Sequence, residues 1–149
     1  MGLIGWLARR STTVLRFVDT NVLLYSVSRD PEEVAKRQRA IEILDARGLC
    51  LSVQVLQEFY VQATRRGRAD ALSHEQAVGF VRVWCRFPVQ ESNMATLQRS
   101  LETTERYRIS YWDAAVVEAA RAGGCRELLS EDFQHGQDFH GVRVINPFL

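Results

Sequence analysis

Strand-like runs alternate with capped helical stretches along almost the whole chain, and that rhythm restricts the fold more than any other feature. "VLRFVD" (Val14 to Asp19) is a short β-branched run ending on an acid. "DPEEVAKRQRAIEILDARG" follows as a helix: Asp30 caps it, Pro31 suits its first position and Gly48 stops it. Val34, Gln38, Ile41 and Leu44 are expected roughly along one face of it. "LCLS" is a short buried strand, and Ser52 caps the helix "VQVLQEFYVQATRR". "RRGRADALS" is a basic turn, and Ser73 with Gln76 forms a capping box for the next helix. "RFPVQ" is a candidate third strand, with Pro88 pointing to a sheet edge. A helix from about Met94 to Tyr107 is expected to align Met94, Leu97 and Leu101. "SYWDAAVVEAARAGG" is capped by Ser110 and stopped by Gly123 and Gly124. "RELLS" and "VRVIN" complete the strands. Such alternation predicts an α/β fold: a parallel sheet of about five strands with helices on both faces.

In sheets of this kind, ligands bind beyond the carboxyl ends of the strands. Acids recur there. Asp19 ends the first strand, Glu131 and Asp132 follow the fourth, and Asp113 lies in the first turn of the Ser110 helix. Glu58 stands six residues past Ser52, roughly 9 Å along its helix. Each acid also has a local reading. Asp19 suits a helix N-cap, although Thr20 and Asn21 suit it equally. Ser110-x-x-Asp113 is itself a capping-box pattern. Asp132 sits in a loop, with Ser130 offering a hydroxyl and Glu131 a second acid of open direction. Glu58 has no cation three or four residues away, and its helix is apolar nearly all round, a pattern that predicts burial. An unpaired buried carboxylate is costly. Two bare carboxylates about 4 Å apart repel by roughly 4 kcal/mol at an effective dielectric near 20. Converging acids therefore call for a cation, and an all-oxygen set suits Mg²⁺ or Mn²⁺ rather than zinc. His74, His135 and His140 have no zinc-site spacing and read as surface or structural residues, with the rim of the site as the alternative for His135 and His140.

The chain has 149 residues, the size of one domain, and 25% are charged, as in an ordinary globular protein. The net charge of +1 gives no overall field for nucleic acid. The basic residues are nonetheless all Arg except Lys36, and Arg65, Arg66 and Arg68 cluster most densely. They suit an RNA backbone, and a solvated turn reads equally well. Cys50, Cys85 and Cys125 lack CxxC spacing, which fits reduced thiols and a cytoplasmic location. No run is long enough to span a membrane. Residues 1–13 read as an extension ahead of the first strand rather than a signal peptide, within one domain over 1–149.

Four stretches, "FVDTNVLLY", "SVQVLQEFY", "ISYWDAAVVEAA" and "LLSEDFQHGQ…GVRVINPF", together resemble the PIN-domain family. More narrowly they resemble VapC-type toxins of bacterial toxin–antitoxin pairs. The resemblance covers about Arg16 to Phe148. It implies a three-layer α/β/α sandwich around a mainly parallel sheet. It also implies an acidic quartet of Asp19, Glu58, Asp113 and Asp132 that holds divalent metal, with Asn21 and Ser130 supporting it. The implied activity is metal-dependent endoribonuclease cleavage. The implied partners are an RNA substrate, a small antitoxin that also binds operator DNA, and a second copy of the chain in a homodimer.

Rival classes leave marks that are absent or different here. A haloacid-dehalogenase-type phosphatase needs a second Asp two residues after the first, and "DTNVL" lacks it. A response-regulator receiver needs a late lysine, and Lys36 comes too early. No Ser or Thr has a sequence-evident base to make it a nucleophile. A housekeeping RNA-processing nuclease and a non-catalytic acid-lined interaction module remain as alternatives.

Overall fold

The computed structural model describes residues 14–149, so the expected extension over 1–13 lies outside the described residues. The five strands are β1 (Arg16–Val18), β2 (Leu49–Ser52), β3 (Val89–Gln90), β4 (Glu127–Leu129) and β5 (Arg143–Ile145). All pair in parallel, in the order β3-β2-β1-β4-β5. Pro88 does precede an edge strand. The strands are shorter than the sequence runs because their ends carry the caps and turns that launch the next helix.

Six helices connect them: α1 (Thr20–Ser26), α2 (Val34–Leu44), α3 (Val53–Ala63), α4 (His74–Trp84), α5 (Met94–Tyr107) and α6 (Tyr111–Ala122). The crossovers from β1 to β2 and from β2 to β3 step the same way across the sheet, whereas the crossover from β3 to β4 steps back. Right-handed connections therefore put α1 to α4 on one face and α5 with α6 on the other. The result is a helix–sheet–helix sandwich. Its core is built on fully buried strand residues (Phe17, Val18, Leu49, Leu51, Leu128, Leu129, Val144) and on Phe59, which meets Trp84 edge-on at 4.6 Å.

The caps form largely as the sequence predicts. Asp30 caps a single 3₁₀ turn (Pro31–Glu33) ahead of α2 rather than α2 itself. Ser73 and Gln76 close a complete capping box, and Ser52 caps α3. Three inward faces differ from expectation. On α2, Ala40, Ile43 and Leu44 are buried, while Val34 and Ile41 are exposed. The helix has little apolar contrast around it, so its apolar spacing is a weak guide to which side is buried. On α5, Met94 and Leu101 are exposed, and the buried positions are Ser100 and Thr103. There the polar Glu118 of α6 lies beneath the helix, accepting from Thr103 Oγ1 at 3.1 Å, so short hydroxyl side chains fill the contact. On α3, Val53, Tyr60 and Val61 are exposed, so that helix is not buried all round.

Candidate active site

The switch point of the sheet lies between β1 and β4, where successive crossovers leave in opposite directions. Asp19 follows β1 and Ser130 follows β4, so the two residues meet at that crevice. Asp19 is α1's N-cap in extended conformation, and its Oδ1 accepts from Thr20 N at 2.8 Å. Its Oδ2 accepts from Ser130 Oγ at 2.7 Å. The cap role is thus real, and it occupies only part of the carboxylate.

Ser130, fully buried, is the hub. Its Oγ donates to Asp19 and accepts from Asn21 Nδ2 and from the Asp132 backbone N, both at 3.1 Å. Asn21 Nδ2 also donates to Asp132 Oδ2 at 3.1 Å. From α3, Glu58 Oε2 accepts from Thr20 Oγ1 at 2.8 Å and Oε1 accepts from Gln54 Nε2 at 3.0 Å. Asp113 sits in the first turn of α6. Ser110 Oγ accepts from its backbone N at 3.1 Å, but the reciprocal half of the capping box does not form. Its carboxylate is left to face the common space.

That space is a cavity of about 310 Å³ whose walls include Asp19, Glu58, Asp113 and Asp132. The four sequence-predicted acids thus share one site, with Asn21 on its wall and Ser130 directly behind it. Burial pushes the Asp19 carboxyl up from 3.8 to about 6. The bonds from Ser130 and Thr20 oppose this, and the nearby Asp132 and Glu58 charges add to the rise.

Glu131 also borders the cavity, yet its carboxylate is engaged elsewhere. Lys36 Nζ donates to Glu131 Oε2 at 2.9 Å, and the Tyr25 hydroxyl donates to Oε1. Lys36 further lies over the Tyr25 ring, 4.8 Å from its centroid. This settles the direction the sequence left open: Glu131 is ion-paired at the rim, and Asp132 turns to the Asn21–Ser130 network. Of the three clustered arginines, Arg65 and Arg66 are exposed on the turn after α3, and only Arg68 reaches the cavity. None of the three histidines borders it; His135 Nδ1 accepts from Asn146 N at 3.0 Å.

Sequence reasoning passed over Thr20, Gln54, Tyr25, Lys36 and Trp112. Gln54 carried a signal: it stands four residues before Glu58, where an amide donor serves a carboxylate as a cation would. Tyr25 and Lys36 carried none, because their contact with Glu131 joins α1, α2 and the β4 loop.

Among the described residues no three acidic, His or Cys side chains already stand at ion-binding spacing. The donor chemistry nonetheless fits a hard divalent cation. The four acids offer only oxygens. Asn21 Oδ1 is buried without a hydrogen-bond partner, a spare acceptor beside the acids. The raised Asp19 carboxyl marks a position where a positive charge is stabilising.

A family model for the PIN domain matches residues 16–137. No curated protein sequence matches the chain. Among solved structures, a toxin–antitoxin complex from Klebsiella pneumoniae superposes with a TM-score of 0.66 at 18% identity, covering 89% of this chain and 97% of that one. VapC20 from Mycobacterium tuberculosis, described as a toxin that cleaves the sarcin–ricin loop, gives 0.61 at 20% identity, covering 78% and 91%. A DNA-bound VapBC from Salmonella typhimurium gives 0.59 at 17% identity, covering 89% and 97%. At such identities the likeness shows a shared fold.

Proposed function

The chain belongs to the PIN-domain family, and on that premise we propose that it is a divalent-metal-dependent endoribonuclease, the toxin of a VapBC-type pair. One observation carries the proposal. Four acids from four separate parts of the chain line one cavity at the sheet's switch point, and three of them, Asp19, Glu58 and Asp132, are tied together through Ser130, Asn21 and Thr20. The solved neighbours that are toxin–antitoxin complexes support the toxin reading over a housekeeping nuclease. They also support a small antitoxin as partner. The homodimer, the cytoplasmic location and the single domain over 1–149 belong to the same reading. No helix among the described residues is long and apolar enough to cross a membrane.

Asp19, Glu58, Asp113 and Asp132 would hold Mg²⁺ or Mn²⁺. Such an ion supplies Lewis-acid neutralisation of phosphate charge and a water of lowered pKa. The chain's own residues do the positioning. Ser130 directs one Asp19 oxygen and holds the Asp132 loop by its backbone N. Thr20 and Gln54 fix both oxygens of Glu58. Lys36 and Tyr25 keep Glu131 at the rim. No imidazole borders the cavity to act as a base, so hydrolysis by activated water is favoured over a covalent intermediate.

The test is cleavage of RNA by purified protein with Mg²⁺ or Mn²⁺ and with chelator. Cleavage that needs the ion, and that Asp113→Asn abolishes while leaving the melting temperature unchanged, is the expected result. A protein that binds its partner but cuts no RNA would instead be the acid-lined interaction module.

A further inference from the structure

An acid-lined cavity repels the polyanion it is proposed to cut, so the strand needs grips of its own. Among the described residues, Arg68 is the sole basic side chain on the cavity wall. It follows the end of α3 and is held by Asp70, whose Oδ1 accepts from Arg68 Nε at 2.7 Å. Asp70 Oδ2 is anchored in turn by the Arg29 backbone N at 3.1 Å. This bond engages Nε, leaving the terminal N–H groups of the guanidinium to present a fork.

Trp112 lies on the same wall and is 64% exposed. An indole is rarely left so open to water, since its large apolar faces gain from burial. It borders the same cavity as Asp113 and Asp132, so a ring stacked on its cavity side lies beside the acids. Its position is also built. Gln54 Nε2 donates to the Trp112 carbonyl at 3.3 Å, and the Tyr111 ring meets the indole edge-on at 5.1 Å. The same Gln54 amide holds Glu58.

The wall between these two grips is one face of α3. Gln54, Glu58 and Gln62 border the cavity at successive turns, a span of about 12 Å. Trp112 is tied to the Gln54 end, and Arg68 comes after the Gln62 end. Resting on the nuclease reading above, we propose that an unpaired RNA strand lies along this α3 face, with one base stacked on Trp112 and a phosphate two-pronged on Arg68. A base enters such a stack only when it is free of its own helix, so the enzyme selects unpaired segments, with little preference from the indole for which base.

Wild type, Trp112→Phe, Trp112→Ala and Arg68→Ala are compared, with Mg²⁺ present, on four RNA oligonucleotides of one sequence. One is unpaired, one is fully duplex, and two are unpaired with an abasic nucleotide on one or the other side of the mapped cut. Wild type is expected to cut the unpaired strand and spare the duplex. Trp112→Ala should lose about 5- to 150-fold in kcat/KM, the size of one base stack, and Trp112→Phe should keep most of the activity. One abasic position should slow wild type and slow Trp112→Ala no further. Arg68→Ala should weaken cleavage of the unpaired strand with and without the abasic nucleotide alike, and lower the salt slope by about one. If wild type cuts RNA and Trp112→Ala cuts it equally well, or if the abasic penalty survives in Trp112→Ala, the stacking proposal is overturned. If wild type cuts no RNA, the nuclease reading itself falls.

Discussion

At the scale of single residues, Asp19 shows how one carboxylate serves two structural ends. It caps α1 through Oδ1 and receives Ser130 through Oδ2, while burial lifts its carboxyl to about 6. The sign of the consequence is definite. Between pH 3.8 and about 6 the folded, metal-free protein holds a proton that the unfolded chain has released. Stability of the metal-free protein should therefore fall as pH rises through that window, by on the order of 3 kcal/mol from this group. Urea unfolding in chelator at pH 4 and pH 7 measures it, and Asp19→Asn should lack that part of the slope. Thr20 gives a second prediction. Its hydroxyl is the donor to Glu58 Oε2. Thr20→Val keeps the shape and frees that oxygen, so cleavage should drop while stability changes by no more than about 1.5 kcal/mol. Parental activity in the variant would mean that Glu58 needs no positioning. Three of the acids were legible in the sequence because Asp19 and Asp132 fall at strand ends and Asp113 in a first helical turn, and Glu58 stood out as a carboxylate without a cation at helical spacing. The donors that orient them were not, since Thr20–Glu58 and Asn21–Asp132 join residues 38 and 111 positions apart.

At the scale of elements, the seat of α6 on β2 controls where Asp113 sits. Gly123 ends α6, and a Cβ placed there would come within 2.7 Å of Cys50 Sγ on β2. Gly123→Ala should therefore destabilise the protein by about 1–3 kcal/mol through overpacking, although Ala is otherwise the better helix residue. Adding Cys50→Ala should recover much of the loss, and a denaturant midpoint for the single and double variants measures both. A Gly123→Ala protein as stable as the parent would show that α6 shifts freely on the sheet. Helix positions and caps were readable because Ser52, Ser73 and Ser110 each stand directly before a helical stretch. The inward faces of α2 and α5 were not. On α5 the buried contact is Ser100 and Thr103 against Glu118, itself held by Arg121 at 3.0 Å. Apolar periodicity is silent about a contact made by hydroxyls and an ion pair.

At the scale of the whole molecule, strand order decides the site. The step from β3 back across the sheet to β4 brings Ser130 and Asp132 beside Asp19, and it carries α6 with Asp113 to the same edge. The alternation of runs announced a parallel sheet, but nothing in it stated the order β3-β2-β1-β4-β5; the likeness of four motifs to PIN domains added the helix–sheet–helix sandwich and the acidic quartet, and the strand order came from the structure. A site assembled from such distant segments has a thermodynamic consequence. Ion binding should stabilise the whole fold, by about 2.7 kcal/mol at 100 times the dissociation constant, and a melting curve with Mn²⁺ against chelator reads it. Most direct of all is the Mn²⁺ dependence of RNA cleavage, titrated for wild type and for Asp19→Asn, Glu58→Gln, Asp113→Asn and Asp132→Asn in turn. If the four acids share one metal site, each variant should need more Mn²⁺ for half-activation or lose cleavage entirely, with the fold intact by circular dichroism. Cleavage by wild type that is indifferent to Mn²⁺, or four variants with the parental midpoint and rate, would contradict the shared site.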